Sequence, residues 1–309
     1  MNELLRQLTE ATGVSGAEKE VRLLIRDLIA DYVDEWSVDT MGNLLATRRG
    51  TGESDLRVMV DAHMDEVGLL VVELEGNGML KFVTVGGFDD RALLGKVVQV
   101  GPQKVTGVIG SRAIHLLKSN EYSKVVKVDA MRIDIGAKNK DAAAGKVKVG
   151  DYAAFVTPYE ESSAPGGRTA IGKAFDNRAG CAALIELLRG ERYPFDLVAA
   201  FTVQEEVGLR GAEVAAYRVR PDAALVLECT PAFDLPNEKD VSPNVALGRG
   251  PSIYVMDART IQDPRLVAHI TRTADAHAIP YQIRQPGGGG TNTGAIQRAA
   301  AGIPVATIA

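Results

Sequence analysis

The sequence of 309 residues has few of the features that define several large protein classes. It has two cysteines, too few for a disulfide framework, and no apolar run near the ~18 residues of a membrane span. Its 35 basic and 40 acidic residues give a net charge of −5 without a dense basic block, which argues against a nucleic-acid-binding surface. We therefore expect a cytoplasmic protein that binds neither membranes nor nucleic acid.

Several catalytic signatures are also missing. The glycine run before Thr291 lacks the lysine of a phosphate-binding loop, and no G-x-S-x-G segment provides a serine nucleophile. Cys181 and Cys229 have no evident histidine partner, so we interpret both as small core residues. Only four histidines occur. A histidine that falls beside acidic residues is therefore a notable candidate ligand.

The hydrophobic pattern changes twice along the chain. Residues 1–66 contain a helical apolar stripe followed by strand-length runs, and Ser15 with Glu18 has the spacing of a capping box. Short valine-rich segments over 67–165 alternate with turn residues, which predicts an all-β module. Strands and helices alternate again over 166–309. We predict an α/β domain with a mixed sheet covered by helices on both faces, discontinuous over 1–66 and 166–309, with a β domain inserted at 67–165.

Acidic and histidine residues collect where the predicted strands end. Apolar runs end in DAHMDE and TVQEE, another ends at Glu228, and the segment AFDN opens a helix. In open α/β sheets, ligand chemistry collects at the carboxyl ends of the strands. These clusters therefore predict a metal site with oxygen and nitrogen ligands.

Each of these residues also has an ordinary interpretation. Taken alone, His63 is more often a hydrogen-bonded loop residue, Asp176 is an N-cap, and Glu205 with Glu206 is an exposed pair. However, Asp65 supplies the carboxylate that a metal-bound histidine needs as a partner. Two adjacent carboxylates after an apolar run are costly unless a cation or proton relieves them. The combination favours metal binding over the separate interpretations.

Four segments, AHMDEVG, KAFDNRAG, TVQEEVGLRGA and GGGTNTGAI, resemble in this order the M42 family of metallo-aminopeptidases. The family includes glutamyl aminopeptidases and the dodecameric TET aminopeptidases, and the likeness covers essentially the whole chain. It implies a di-metal aminopeptidase-like catalytic domain whose inserted β domain takes part in subunit assembly and shapes access to the site. It further implies a homo-oligomer, dimer-based and up to a dodecamer, that removes N-terminal residues from peptide substrates.

The resemblance also implies a site with two divalent ions, Zn²⁺ or Co²⁺. The metal ligands it assigns are His63, Asp176, Glu206 and Glu228. Asp176 would bridge the two ions. Glu205 would be the general base that takes a proton from the attacking water, and Asp65 would orient His63.

The sequence departs from the family pattern at three places. Glu228 stands where the family commonly has aspartate, and Asn292 stands where aspartate is usual. The family also continues past the segment that ends at Ala309 to one more histidine ligand, for which none of the other histidines here is an obvious replacement. We expect the sequence to belong to a longer enzyme. Two alternatives stay open: a one-metal relative that binds or assembles without hydrolysis, and a di-metal amidohydrolase or deacylase.

Overall fold

The computed structural model describes residues 2–116, 119–164, 167–232, 245–285 and 288–309. Within these ranges the helices are α1 (Asn2–Glu10), α2 (Lys19–Ile29), α3 (Lys140–Ala144), α4 (Phe175–Arg189), α5 (Arg210–Val219), α6 (Pro264–Ala276) and α7 (Thr293–Ile296). None of them is long and apolar enough to cross a membrane.

The strands follow the same chain order. They are β1 (Glu35–Val38), β2 (Leu44–Arg48), β3 (Arg57–His63), β4 (Gly68–Leu74), β5 (Leu80–Val85), β6 (Val97–Val100), β7 (Val105–Gly110), β8 (Arg132–Asp134), β9 (Tyr152–Phe155), β10 (Glu160–Ala164), β11 (Gly167–Ile171), β12 (Asp196–Thr202), β13 (Ala223–Leu227), β14 (Ser252–Tyr254), β15 (Gln282–Arg284) and β16 (Val305–Ile308).

The described strands form one large sheet, one closed barrel and a two-stranded sheet of β10 and β11. The sheet has eight strands in the order β1-β2-β12-β3-β13-β16-β14-β15, and the barrel has six in the order β4-β5-β8-β7-β6-β9. All strand pairs of the barrel are antiparallel, whereas the sheet is mixed. The predicted fold class is confirmed.

Apolar side chains on both faces of the sheet hold the helices in place. Along β3, Val60 and Ala62 pack in a cluster with α1, α2 and α4, while Met59 packs in a second cluster with α5 and α7. Successive side chains of a strand point to opposite faces, so one strand contributes to both cores. Ile25 of α2 and Ala216 of α5 are fully buried in these two clusters, as the helical stripe of α2 predicts.

The capping box predicted at Ser15 and Glu18 does not form. α2 begins at Lys19, and the Glu18 carboxylate accepts a hydrogen bond from the Gly16 amide at 2.7 Å. The Ser15 hydroxyl instead donates to the buried carboxylate of Asp65 at 2.6 Å. A hydrogen bond to an ionised acceptor is roughly twice as strong as a neutral one, which explains why Ser15 turns away from the helix.

Parallel pairing brings the ends of three central strands to one edge of the sheet. His63 ends β3 opposite Thr202, the last residue of β12, and β13 runs parallel to β3 on its other side. Glu205 and Glu206 follow β12, and Glu228 follows β13. Residues far apart in sequence therefore meet at this edge.

Candidate metal centre

His63 lies at the middle of the converging side chains. Its ring is buried, with Nε2 3.1 Å from Oδ1 of Asp176 and 3.4 Å from Oε1 of Glu228. On the other side of the ring, Nδ1 lies 3.3 Å from Oδ1 of Asp65. A carboxylate at one ring nitrogen favours the proton there and leaves the other nitrogen as a lone-pair donor. On a neutral ring with its proton on Nδ1, the Nε2 lone pair would face Asp176 and Glu228.

Asp65 connects His63 to two loops. Its carboxylate accepts hydrogen bonds from the backbone amide of Glu205 at 3.0 Å and of Glu206 at 3.2 Å, in addition to the Ser15 hydroxyl. Burial alone would raise the pKa of Asp65, but the hydrogen bonds and charge of His63 outweigh it and lower that pKa. Asp65 therefore stays ionised and fixes both the imidazole and the turn that carries the two glutamates.

Asp176 reaches the site because it is not an ordinary N-cap. Asp176 and Asn177 have non-helical backbone angles at the start of α4. The Asn177 side chain accepts a hydrogen bond from the Gly180 amide at 3.1 Å and donates to the Leu227 carbonyl at 2.8 Å. Asn177 thus takes the capping role expected for Asp176. The Asp176 side chain, 57% exposed, is left to face His63.

Glu205 and Glu206 line the same cavity of about 200 Å³ as His63, Asp176 and Glu228. Burial, with the neighbouring carboxylates, raises the pKa of Glu205 to about 8 and that of Glu206 to about 7. Burial likewise raises the pKa of Glu228. For His63, burial lowers the pKa, but the Glu228 charge and the carboxylate hydrogen bonds raise it well above 6.5. The site therefore has more acidic groups than its own cations can neutralise.

These residues fit a divalent cation. One ligand atom each from His63, Asp176 and Glu228 lies within 4.8 Å of the other two. Oε2 of Glu228 is buried and has no hydrogen-bond partner in the part of the chain that the structure describes. One imidazole nitrogen and several carboxylate oxygens are ligands that Zn²⁺ and similar ions accept. Glu206 lies in the cavity but outside this group of three.

A second buried ionic cluster was missed by the sequence reasoning. Glu66 follows Asp65 directly, and both of its carboxylate oxygens accept hydrogen bonds from Nζ of Lys173 at 2.8 Å. The fully buried Arg178 lies 3.4 Å from Glu66 and donates to the Ala11 carbonyl. Burial lowers the pKa of Lys173. All three residues lie inside the AHMDEVG and KAFDNRAG segments, and the other charges of these segments were the available signal.

A polar contact beneath the site explains the unusual Asn292. Its side-chain amide donates to the buried Asp61 at 2.8 Å and to Thr202 at 3.0 Å. The Thr202 hydroxyl also donates to Asp61, at 2.8 Å. Burial raises the pKa of Asp61 to about 7. An aspartate at 292 would place a second carboxylate against Asp61, whereas the asparagine supplies donors.

Comparison with known proteins agrees with the geometry of this site. Residues 42–309 match the family model described as M42 glutamyl aminopeptidase. The chain belongs to the M42 family. M42 homologues at 30–37% identity that span essentially the whole chain indicate a peptidase that hydrolyses peptide bonds.

Two curated M42 relatives are named for substrate residues of opposite charge. The glutamyl aminopeptidase of Lactococcus lactis subsp. cremoris is 30% identical over 98% of this chain and 86% of its own length. The lysyl aminopeptidase of Pyrococcus furiosus is also 30% identical, over 99% of this chain and 87% of its own.

Solved M42 structures share the fold closely. The TET aminopeptidase from the Thaumarchaeota archaeon SCGC AB-539-E09 superposes with a TM-score of 0.93 at 38% identity, covering 99% of this chain and 86% of that chain. A structure described as a PhTET1-12s dodecamer has a TM-score of 0.84 at 33% identity, covering 100% and 89%. M42 membership implies that the protein binds a divalent metal, which agrees with the ligand group around His63.

Proposed function

We propose that this protein is a metal-dependent aminopeptidase that removes N-terminal residues from peptides at a site with two divalent ions, Zn²⁺ or Co²⁺. The observation that carries the proposal is the meeting of His63, Asp176 and Glu228 in one cavity with the half-buried Glu205. In this proposal His63 and Glu228 would hold one ion, Glu206 would hold the other, and Asp176 would be shared between the two. Bound ions would polarise the scissile carbonyl and lower the pKa of water toward ~7.

Glu205 is the proton carrier in this proposal. Asp65 accepts a hydrogen bond from the Glu205 backbone amide and so holds the turn from which this glutamate lines the cavity. Burial raises the pKa of Glu205 to about 8, the direction that makes its ionised carboxylate a stronger proton acceptor. Glu205 takes a proton from the attacking water and passes it to the leaving amine. Asp65 is a positioning residue that acts through His63 and through the turn of Glu205.

The proposal extends to the organisation of the molecule. The catalytic domain is assigned to 1–66 and 166–309, and the barrel-containing segment 67–165 is assigned to assembly and to access to the site. A homo-oligomer is supported by the structural relatives described as a dodecamer and as a tetrahedron or octahedral shell. A cytoplasmic location is part of the same proposal, and both cysteines are free thiols.

The test combines metal content with hydrolysis. Chelator-treated protein is reloaded with Zn²⁺ or Co²⁺, the bound ions are counted, and aminoacyl-p-nitroanilides are compared with their N-acetylated forms. The proposal expects two ions per subunit and cleavage of free-amine substrates alone. Binding of one ion with no cleavage would instead support the alternative of a one-metal protein that binds or assembles without hydrolysis. Cleavage of only the N-acylated substrates would support the deacylase.

A further inference from the structure

One cationic side chain of the candidate cavity has no role in the proposed chemistry. Arg284 ends β15 and lines the cavity together with His63, Glu205 and Glu206. The residue is 8% exposed. Its guanidinium lies over the ring of Tyr254 at 4.4 Å from the centroid, and the two residues are paired neighbours in the parallel ladder of β14 and β15.

Arg284 has no anionic partner among the described residues. No carboxylate oxygen there lies within ion-pair distance of its guanidinium, and its buried Nε has no hydrogen-bond partner. Asp257 lines the same cavity, but its carboxylate accepts hydrogen bonds from the amides of Arg259 and Thr260 and from the Thr291 hydroxyl. Burying an unpaired charge is costly. An arginine kept in this state at the wall of a cavity is suited to bind an anion that enters it.

The geometry favours a carboxylate as that anion. A planar guanidinium binds a carboxylate through two parallel hydrogen bonds, and stacking on Tyr254 fixes the plane of the fork. The other charged side chains of the cavity wall, apart from His63, are acidic. A lysine side chain of a substrate would therefore meet Arg284 without any pairing, and an aliphatic side chain would leave Arg284 unpaired. The M42 relatives named above differ in substrate charge, so family membership does not decide this point.

We propose that Arg284 determines specificity by binding the side-chain carboxylate of an N-terminal glutamate or aspartate, so that this protein prefers peptides with acidic N-terminal residues. The proposal rests on the proposed aminopeptidase function. Arg284 touches the side chain of the substrate and takes no part in the proton transfer. A substrate in which an amide replaces this carboxylate leaves a buried charge unpaired, which is the situation in which binding sites discriminate most strongly.

The kinetic test compares p-nitroanilides of glutamate, glutamine, leucine and lysine on the metal-loaded enzyme. Wild type is expected to cleave the glutamate substrate with a kcat/KM at least ~10-fold above that of glutamine, and Arg284→Gln should lower the glutamate value by about 10- to 100-fold. The glutamine and leucine values should change by less than ~3-fold. Arg284→Lys keeps the charge but loses the planar fork, so its kcat/KM for the glutamate substrate should lie between those of wild type and Arg284→Gln. Arg272→Gln, on the exposed side of α6, is the matched control and should behave as wild type.

A binding test makes the inference independent of catalysis. Calorimetry on chelator-treated protein is expected to show that L-glutamate binds more tightly than L-glutamine, and that Arg284→Gln removes the difference. Preference for leucine or lysine with unchanged kinetics in both Arg284 variants would overturn the inference and leave the aminopeptidase proposal intact. Failure to cleave any anilide would overturn that proposal, while the glutamate binding arm would still decide the role of Arg284. A last comparison uses the dipeptide Leu-Leu and its amide, which lacks the C-terminal carboxylate. If the Arg284 variants cleave Leu-Leu more slowly but cleave Leu-Leu-amide and the glutamate anilide as wild type does, Arg284 binds a C-terminal carboxylate. The assignment to the substrate side chain is then wrong.

Discussion

Two buried ionic clusters start from adjacent residues of one segment and differ in how their charges are balanced. Glu66 is balanced within the chain, because Lys173 and Arg178 both reach its carboxylate. Asp65 instead supports His63, which faces Asp176 and Glu228 at a cavity where carboxylates outnumber cations. The difference teaches that burial of charge does not by itself mark a functional site. A group of buried charges that lacks internal compensation is what indicates an external cation.

The largest effect expected is on catalysis, from Glu205→Gln. If Glu205 carries the proton, kcat should fall by about 10²–10⁴-fold, because that is the usual contribution of a positioned acid or base. The number of bound ions should stay as in wild type, since Glu205 is not a proposed ligand. Steady-state kinetics and metal analysis check both. Glu213→Gln, an exposed glutamate of α5, is the control. Near-wild-type activity of Glu205→Gln would rule out its role as the base.

Glu66→Gln tests the balanced cluster and should act on stability. The change leaves Lys173 and Arg178 buried without a carboxylate, and removing one partner of a buried ion pair usually costs about 3–5 kcal/mol. Denaturant unfolding should show this loss with and without metal. Glu73→Gln removes the exposed pair with Lys81 and should cost less than ~1 kcal/mol. Equal effects of the two substitutions would contradict the contrast between the clusters.

Glu228→Gln tests the uncompensated cluster and should have the opposite signature. Burial disfavours the ionised form of Glu228 and raises its pKa. In the absence of metal, the free energy of unfolding of the variant should therefore be no lower than that of wild type. The stabilisation that metal gives wild type, about 2.7 kcal/mol at 100 times Kd for one site, should be lost. Thermal unfolding with and without chelator measures both quantities. A metal-free variant that is clearly less stable than wild type would mean that Glu228 is structural.

The smallest effect expected is from Ser15→Ala. It removes a buried hydrogen bond to the Asp65 carboxylate, for which a loss of about 1.5–3 kcal/mol is typical. Because Asp65 also orients His63 and the Glu205 turn, we expect a moderate fall in metal affinity alongside the loss of stability. Thr9→Ala, which removes a hydroxyl bound only to helix carbonyls, serves as a control. Unchanged stability and unchanged metal affinity in Ser15→Ala would contradict a role of this hydroxyl in holding Asp65.

The sequence was sufficient for the fold class because its signals are local. Helical spacing identified α2, and valine-rich runs identified the strands that close the barrel. Ser15 shows where local reasoning failed, since a carboxylate fifty positions away competed with the helix for its hydroxyl. Local reasoning also failed at the start of α4, where Asn177 accepts the hydrogen bond of the Gly180 amide in place of Asp176.

The candidate site was only partly visible from the sequence. The segments that contain His63 and Glu205 were apparent because charges interrupt apolar runs. Arg284 and Tyr254 carried no such signal, because their meeting depends on the pairing of two three-residue strands. Lys173 and Arg178 lie in the KAFDNRAG segment and Glu66 lies in AHMDEVG, but only three-dimensional contacts show that they pair. The spacing of charged residues along the chain does not predict which of them form ion pairs.

The placement of the barrel between His63 and Asp176 has a consequence for folding. These two residues are 113 positions apart, and a flexible loop of that length would make their meeting entropically unfavourable. The first and last strands of the barrel pair with each other, with Leu69 opposite Ala153, so a folded barrel brings the two flanking segments together. We therefore expect a chain with an unfolded barrel to bring the proposed metal ligands together poorly. If so, the proposed peptide cleavage depends on a folded barrel, even though the barrel contributes no proposed ligand.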